Sequence, residues 1–415
     1  REALEPLFAE LEFRTLGRRV FGEAFNVSEI KATTASQMDL FGSTVTTVKT
    51  ETTTVIEGVQ EGRNIENTDH NYVLVDTPEK RQELLNLLNQ QEAFCFETET
   101  TCPDANDCEL VGLAFSVNPS EAWYVPMVAD QLECQACIDE FKPLFENPSI
   151  GKIGQNLKYD MLVLKWYGIE MQGELFDTML AHYLIDPDSR HNLDLLAEKY
   201  LGYTPVTVTS LTGKGKSQTD LRDVELEKLK EFAGEDAAIT LQLKEVFEPM
   251  LQSVNAFSLA REIENPLIYV LSDMEREGVK IDQAALAEFS EQMRVEILDL
   301  EKSSYDKAGV KFNIASPKQL REVLFDKLQL DPKAKKTKTG QYQTGEDVLM
   351  ALSSKSDIVK DILDFRQLQK LKSTYVDALP LMINKKTNRI HTSYNQAVAA
   401  TGRLSSNNPN LQNIP

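Results

Sequence analysis

Two glutamates, Glu97 and Glu99, lie at the end of a short apolar run that spans residues 94–99. Bulky apolar residues alternate there with small or polar ones, which predicts a buried strand. Side chains two residues apart on a strand point to the same face, so the two carboxylates lie side by side. Like charges this close repel, and a hard cation such as Mg²⁺ or Mn²⁺ between them would relieve the repulsion. The alternative is an acidic strand edge that faces solvent.

The chain has 415 residues, a formal net charge of −21 and 41% hydrophobic residues. A chain of this length can bury more than one hydrophobic core, so we expect two or three domains. It contains no apolar run of about 18 residues and no signal-peptide pattern, so we expect a cytoplasmic protein without a membrane partner. The negative charge argues against wholesale coating of nucleic acid. Local DNA binding stays open, because it depends on where Lys and Arg lie.

The five cysteines all lie between Cys95 and Cys137, and their odd number does not suit a secreted disulfide framework. We therefore favour reduced structural thiols. Zinc binding by four of them is the weaker alternative, because their spacings do not match and no histidine is near: Cys102, Cys108, Cys134 and Cys137.

Periodicity predicts an α/β region from residue 71 to about residue 250. Strands are predicted at about 72–75, 94–99, 109–117, 122–126 and 150–154, and helices at about 78–88, 134–145, 157–167, 177–184, 193–201 and 224–250. Three successive strands followed by alternating helices and strands indicate a mixed sheet and a ribonuclease H-like fold. Beyond residue 250, long amphipathic helices are predicted at about 257–277 and 282–307, which by themselves indicate only a helical bundle.

The first 70 residues differ from the rest of the chain. Residues 1–30 carry the apolar stripe of a helix. Residues 31–70 are rich in Thr, Ser and Glu and have little periodicity, which predicts a flexible linker.

Two further carboxylates belong to motifs downstream of the first acidic strand. Asp160 ends the motif GQNLKYD, and Asp236 ends the motif FAGED within a predicted helix. Together with the acidic strand, these motifs resemble the three exonuclease motifs of the 3′ to 5′ proofreading domain in the bacterial DNA polymerase I family, the family A DNA polymerases. The resemblance extends to FDTML at residues 176–180, RHNLD at 190–194 and GKGK at 213–216.

The resemblance implies a two-metal exonuclease site. Two divalent ions can acidify the attacking water and stabilise the leaving 3′ oxygen when a phosphodiester is cut. The ions would be Mg²⁺ or Mn²⁺, and Glu97 would bridge them. Glu99 and Asp236 would complete the first ion's site, and Asp160 would hold the second ion largely through water.

The chain departs from the family at two of these positions. The family has Asp where Glu97 stands, and the extra methylene moves the carboxylate by roughly 1 Å, a displacement that can cost about a hundredfold in rate. The family also has Tyr where Phe232 stands, and phenylalanine lacks the hydroxyl that helps to orient the attacking water. We therefore expect proofreading to be weak or absent.

The same resemblance identifies residues 251–385 as a polymerase thumb and residues 386–415 as the start of the palm. It rests on FNIASPKQL at 312–320, the basic loop at 333–338, QKLKSTY at 369–375 and TGRLSS at 401–406. Lysines and hydroxyls suit phosphate contacts, which position a duplex without reading its sequence. A solvated loop is the alternative for the basic loop taken alone. In the exonuclease region, the thumb and the palm, the residues implied to bind DNA are Gln155, Asn156, Lys335, Lys336, Lys370, Lys372, Ser373, Thr374 and Arg403.

We therefore expect a segment of a family A DNA polymerase that acts in DNA replication and repair. Residues 1–30 would be a remnant of the 5′ nuclease region and 31–70 a linker; residues 71–250 would form the α/β exonuclease domain, followed by the mainly α-helical thumb. The family's polymerase carboxylates lie beyond Pro415, so this chain is not expected to extend a primer. Two alternatives stay open: a catalytically inactive DNA-binding scaffold, and a free-standing 3′ exonuclease on RNA, which would lack the thumb and palm motifs.

One motif in the linker supports a separate hypothesis. Gln37, followed by Leu40 and Phe41, is similar to the pentapeptide by which bacterial replication proteins dock on the sliding clamp. A flexible linker can present such a motif freely. The alternative is that Leu40 and Phe41 pin the linker to a nearby domain.

Overall fold

The computed structural model describes residues 62–215, 218–332 and 342–414. These residues belong to one compact unit, Gly58–Pro415. Within them, no helix is both long enough and apolar enough to cross a membrane. The predicted helix at residues 1–30 and most of the predicted linker lie outside the described residues, and so do five predicted site residues: Gln37, Leu40, Phe41, Lys335 and Lys336.

The α/β part is built on a six-stranded sheet. Its strands are β1 (Asn71–Leu74), β2 (Ala93–Thr100), β3 (Leu110–Asn118), β4 (Glu121–Pro126), β5 (Gly151–Gly154) and β6 (Leu175–Asp177). They lie in the order β1-β4-β3-β2-β5-β6. The pairs of β3 with β2 and β4 are antiparallel, whereas the pairs β1–β4, β2–β5 and β5–β6 are parallel. The predicted mixed sheet is confirmed. The prediction omitted β6, because three residues are too few to show a strand's period of two.

Helices pack on the two faces of this sheet. In chain order they are α1 (Pro78–Leu88), α2 (Gln131–Phe145), α3 (Leu157–Trp166), α4 (Thr178–Ile185), α5 (Leu193–Leu201), α6 (Val208–Thr212) and α7 (Leu226–Ser253). The longest, α7, carries buried residues along much of its length.

Strand β2 is buried on both faces. On one face, Phe94 and Phe96 pack with Phe115 and Phe145, at ring-centroid distances between 5.0 and 6.1 Å. On the other face, Cys95 packs in a cluster with Ile153 of β5 and Leu241 of α7. The strand's alternation therefore directs the next odd-numbered side chains, the two glutamates, to the side of α7.

The rest of the described chain is mainly helical, as predicted. Its helices are α8 (Phe257–Leu259), α9 (Asn265–Glu277), α10 (Gln283–Ala308), α11 (Pro317–Arg321), α12 (Glu346–Leu352) and α13 (Asp357–Leu371), and π-helical turns occupy Ala260–Glu264, Glu322–Lys327 and Lys372–Val376. Asp282 caps α10, where its carboxylate accepts a hydrogen bond from the Ala285 amide at 3.0 Å. Near the C-terminus, β7 (Ser393–Asn395) pairs with β8 (Ser405–Asn407) in antiparallel fashion.

The predicted linker is too long at its C-terminal end. Arg63 forms a parallel bridge with Tyr203 and accepts a hydrogen bond from the Thr204 amide at 2.8 Å. His70 is 2.8 Å from a carboxylate oxygen of Glu231 on α7. Polar residues that lack periodicity are thus held by hydrogen bonds, which a search for apolar periodicity does not detect.

Gly112 on β3 offers a test of this packing. A Cβ atom at this position would lie 2.2 Å from the hydroxyl oxygen of Tyr124 on β4, whose buried ring fills the space. We expect Gly112→Ala to lower the free energy of unfolding by about 1–3 kcal/mol in a urea titration, because the core is overpacked. Gly345→Ala is the control, since a Cβ there meets nothing within 4 Å, and its effect is expected to stay within about 0.5 kcal/mol. Equal losses in the two variants would contradict this account.

Candidate active site

Four predicted carboxylates come from three elements that meet near the C-terminal end of β2. Glu97 and Glu99 belong to β2, Asp160 lies in the first turn of α3, and Asp236 lies in α7. Glu99 and Asp160 are buried, with 8% and 2% of their surface exposed, and Glu97 and Asp236 are half-buried. The structure thus brings the carboxylates of the three motifs together at one edge of the sheet.

Hydrogen bonds hold two of these carboxylates in place. Glu97 Oε1 accepts hydrogen bonds from the Gln155 amide at 3.0 Å and from the Thr240 hydroxyl at 3.1 Å. Asp160 Oδ1 accepts hydrogen bonds from the amide and the hydroxyl of Thr98, at 2.8 and 2.6 Å. Sequence reasoning did not single out Thr98 or Thr240, because a threonine next to an acidic motif has no pattern that marks it as a hydrogen-bond donor.

All four carboxylates have raised pKa values. Burial raises the pKa of Glu99 to about 8 and that of Asp160 to about 7. Burial and repulsion from Asp160 and Asp236 raise the pKa of Glu97 well above its ordinary value, and burial and repulsion from Glu99 do the same for Asp236. Within the described residues, no Lys, Arg or His forms an ion pair with any of the four. No cationic side chain of the described residues pairs with the negative charge that they carry when ionised.

The four side chains interact, yet they do not form a ready metal cage. In the described parts of the chain, no three His, Cys, Asp or Glu side chains are arranged to hold a metal ion. Glu97 Oε1 is bonded to Gln155 and Thr240, and Asp160 Oδ1 is bonded to Thr98. The donor set fits Mg²⁺ or Mn²⁺ by its chemistry, since it consists of carboxylate oxygens.

The cysteines do not form a metal site either. All five are free, and in the described residues they belong to no group of three or more side chains that could hold a metal ion. Reduced thiols stay the prediction for these cysteines.

Phe232, predicted at the catalytic position of a tyrosine, lies in α7 one turn before Asp236. It is buried in an apolar cluster with Val111, Tyr124 and Leu229. Its ring contributes packing and no polar atom.

Asp177 holds the helices that flank the site, a role that sequence reasoning did not assign. Its carboxylate accepts hydrogen bonds from the amides of Asn156 and Leu157 at the start of α3, at 3.1 and 2.8 Å. It also caps α4, accepting from the amides of Met179 and Leu180 at 2.8 and 3.3 Å. The signal that was present is an Asp directly before a helical apolar run, a common N-cap pattern.

The predicted DNA contacts in the α/β part differ from one another. The Gln155 side chain is bonded within the protein, since its Nε2 donates to the His191 carbonyl at 2.7 Å and its Oε1 accepts from the Thr178 hydroxyl at 2.6 Å. Asn156 adopts a left-handed backbone, φ 61°, before α3 and lines a cleft together with Lys158 and Tyr159. Asn156 is therefore better placed than Gln155 to meet a ligand.

The predicted DNA contacts in the helical part also differ. Lys370, Ser373, Thr374 and Arg403 are exposed. Lys372 is instead held within the protein, where its Nζ donates to Asp377 Oδ2 at 2.6 Å and to Ser290 Oγ at 2.8 Å. The Ser290 hydroxyl in turn donates to Asp377 Oδ1 at 2.7 Å, which links α10 to the end of the third π-helical turn.

Substitutions of Lys372 and Lys370 are therefore expected to have different effects, one on stability and the other on DNA binding. We expect Lys372→Ala to lower the free energy of unfolding by about 0.2–1 kcal/mol, the usual range for a partly exposed ion pair, with little change in duplex affinity. Lys370→Ala is expected to weaken duplex binding and leave stability unchanged. Urea unfolding and fluorescence anisotropy with a labelled duplex measure the two effects. The reverse pattern, with Lys372→Ala losing affinity at constant stability, would contradict the assignment.

Two family models match the chain, one over the α/β part and the other over most of the helical part. Residues 72–252 match the model described as 3'-5' exonuclease, and residues 283–415 match the model described as DNA polymerase family A. DNA polymerase I of Pseudomonas aeruginosa is 44% identical over 344 residues, which cover 80% of this chain and 37% of that protein. DNA polymerase I of Chloroflexus aurantiacus is 38% identical over 431 residues, which cover 100% of this chain and 45% of that protein. The chain thus spans less than half the length of these two relatives.

A solved structure agrees with these matches. The POL domain of Pol1 from M. smegmatis, in complex with DNA primer-template and dNTP, superposes with a TM-score of 0.67 and 30% identity over 82% of this chain and 56% of that chain. A mixed α/β domain with carboxylates at the end of a central strand, followed by a helical region, defines an exonuclease-type domain joined to a polymerase segment. The chain belongs to the DNA polymerase I family, the family A DNA polymerases. A free-standing RNA exonuclease is disfavoured, because residues 283–415 match the polymerase family.

Proposed function

We propose that residues 71–250 are the 3′ to 5′ exonuclease domain of a DNA polymerase I that acts in bacterial DNA replication and repair. Residues 251–385 would be its thumb and 386–415 the start of its palm, in a cytoplasmic protein. The observation that carries the proposal is the meeting of four carboxylates from β2, α3 and α7 at a place where no cationic side chain of the described residues pairs with them. The family matches over residues 72–252 and 283–415 support it.

The proposed cofactor is a pair of Mg²⁺ or Mn²⁺ ions. Polymerases and nucleases commonly use such ions, which supply an acidified water and stabilise the leaving oxygen when they are bound. Glu97, Glu99, Asp160 and Asp236 would hold the ions through carboxylate oxygens. The chain's other residues orient these ligands: Thr98 fixes the carboxylate of Asp160, and Gln155 and Thr240 fix that of Glu97.

The proposed exonuclease is slow. Glu97 is longer than the family's aspartate, and two hydrogen bonds hold its Oε1 to the protein. Phe232 supplies no hydroxyl. These two features favour a second candidate, a catalytically inactive scaffold that binds DNA.

A nuclease assay separates the two candidates. Single-stranded DNA with a 5′ label is incubated with the chain in Mg²⁺, Mn²⁺ or EDTA. Slow shortening from the 3′ end that EDTA stops, and that Glu99→Ala and Asp236→Ala abolish, supports the exonuclease. Glu121→Ala is the control, because Glu121 lies at the start of β4 and outside the carboxylate cluster. Binding without any shortening would identify a scaffold, and shortening that survives EDTA would overturn the metal site.

The helical part is proposed to bind a primer-template duplex. The similar structure from M. smegmatis contains DNA primer-template, and Lys370, Ser373, Thr374 and Arg403 are exposed in this chain. Phosphate contacts of this kind release counterions, so duplex affinity is expected to fall steeply between about 50 and about 200 mM salt. Lys335 and Lys336, outside the described residues, are proposed to contribute to the same contacts. An affinity that is independent of salt would contradict them.

The sliding clamp is a further proposed partner. Gln37 would donate or accept hydrogen bonds on the clamp, and Leu40 and Phe41 would fill an apolar pocket there. Tethering by the linker would keep the polymerase at high local concentration near the primer end. We expect the triple alanine variant of Gln37, Leu40 and Phe41 to lose clamp binding in a pull-down while its melting temperature stays unchanged. A lower melting temperature, with no clamp binding by the parent, would identify a packing contact instead.

A further inference from the structure

Tyr183 of α4 is bonded to a turn that lies far along the chain, at residues 399–402. Its hydroxyl donates a hydrogen bond to the Ala399 carbonyl at 2.7 Å and accepts one from the Gly402 amide at 3.1 Å. The turn's own hydrogen bond joins the Gly402 amide to the Ala399 carbonyl at 3.1 Å. Gly402 has φ +75°, a conformation that glycine adopts without strain. One buried hydroxyl therefore contacts both ends of the turn that immediately precedes Arg403.

Tyr183 also contacts residues that connect it to the carboxylate cluster. Its ring meets the ring of His191 edge to face, with centroids 5.8 Å apart at an angle of 90°. His191 Nδ1 is 2.7 Å from His182 Nδ1, and the His191 carbonyl accepts from Gln155 Nε2 at 2.7 Å. The backbone N–H of Gln155 donates a hydrogen bond to Glu97 Oε1. A continuous series of contacts runs from the carboxylate cluster to the turn.

We infer that Tyr183 is a positioning residue whose hydroxyl fixes the turn at residues 399–402 and thereby sets where Arg403 stands relative to the exonuclease site. The inference rests on the proposed function, because Arg403 is a proposed DNA contact. Arg403 is exposed, and β8 begins only two residues after it. Without the hydroxyl, the flexible glycine of the turn gains conformational freedom, and binding DNA must then order the backbone that carries Arg403.

The test compares Tyr183→Phe with Tyr269→Phe in the chain. Tyr269 is the matched control, because its hydroxyl also donates to a backbone carbonyl, that of Gly173, at 2.7 Å. Tyr183→Phe loses the hydrogen bonds to Ala399 and Gly402, Tyr269→Phe loses the one to Gly173, and both variants keep the aromatic ring. We expect Tyr183→Phe to weaken binding of a primer-template duplex by up to about tenfold, similar to Arg403→Ala, and Tyr269→Phe to leave the affinity unchanged.

A double-mutant cycle distinguishes positioning from general stability. If Tyr183 acts through Arg403, adding Tyr183→Phe to Arg403→Ala weakens duplex binding no further. Fully additive losses of affinity in the double variant would overturn the inference. So would an unchanged duplex affinity in Tyr183→Phe if Arg403→Ala binds the duplex weakly.

Hydrogen exchange at the Gly402 amide tests the same inference without DNA. We expect faster exchange in Tyr183→Phe and a parental rate in Tyr269→Phe. A parental rate in both variants would overturn the positioning role. A parent chain that binds no duplex would overturn the proposed function of the helical part, and the exchange rates would still decide whether Tyr183 holds the turn.

Discussion

Replacing Glu97 with aspartate is expected to raise the rate of 3′ exonuclease cleavage by about a hundredfold. One methylene moves the carboxylate by roughly 1 Å, and a displacement of that size can cost a factor of about 10² when it misplaces reacting groups. In the structure, Glu97 Oε1 reaches the Gln155 amide and the Thr240 hydroxyl. Aspartate is too short to keep both bonds, so its carboxylate would be released toward the other ligands. The rate is measured on 5′-labelled single-stranded DNA in saturating Mg²⁺ or Mn²⁺.

The matched control is Glu121→Asp, which shortens a glutamate of the same sheet outside the carboxylate cluster. Its cleavage rate is expected to equal that of the parent. Adding Phe232→Tyr to Glu97→Asp is expected to increase the rate beyond either single change, because the new hydroxyl can orient the attacking water. Full activity in the unaltered chain, or a faster rate in Glu121→Asp as well, would show that Glu97 does not limit the reaction.

In EDTA, the melting temperature of the chain is expected to fall by several degrees as the pH rises from about 6.5 to about 8. Burial raises the pKa of Asp160 to about 7 and that of Glu99 to about 8. The folded state therefore keeps protons that the unfolded state has already lost. The stability associated with these groups is full below their ordinary pKa values and is lost as the pH rises through the folded values.

Two other titrating groups act mainly outside this pH range. His70 acts within it and in the same direction as the carboxylates, because its contacts with Thr68 and Glu231 outweigh its burial and raise its pKa. Burial lowers the pKa of His182 to about 4. Protonation of this histidine therefore destabilises the folded state at low pH, and that loss of stability disappears as the pH rises to the ordinary histidine value. Burial also lowers the pKa of Lys152 to about 8. The folded state therefore gains stability from this lysine only as the pH rises above that value. Differential scanning fluorimetry of Glu99→Gln is expected to show a flatter pH profile than the parent, whereas Glu121→Gln keeps the parental slope.

Metal ions are expected to reverse the pH trend. A divalent cation binds ionised carboxylates, so the rise in melting temperature on adding Mn²⁺ is expected to be larger at pH 8 than at pH 6.5. If Mn²⁺ raises the melting temperature of Glu99→Gln as much as that of the parent at both pH values, the ion binds elsewhere.

The sequence alone was sufficient for the fold class, and it predicted which four carboxylates form the site. Glu97 and Glu99 follow an apolar strand with a period of two, and Asp160 and Asp236 lie in motifs that resemble a known family. The mixed sheet and the helical C-terminal part were confirmed for the same reason, since repeated burial of one face leaves a periodic pattern. Strand β6 and the ordered segment at residues 62–70 escaped prediction, because three residues or scattered polar bonds leave no period.

Only the tertiary structure decided how the side chains are used. Lys372 looks like a phosphate ligand in the sequence, yet Asp377 and Ser290 hold it within the protein. Asp177 caps two helices, and Tyr183 reaches a turn more than 200 residues away. Such contacts join residues that are distant in the chain, and a polar side chain's partner is set by where the folded elements meet. Residue type and spacing determined which groups are available for chemistry, and the packing of the elements determined which of them are already bonded.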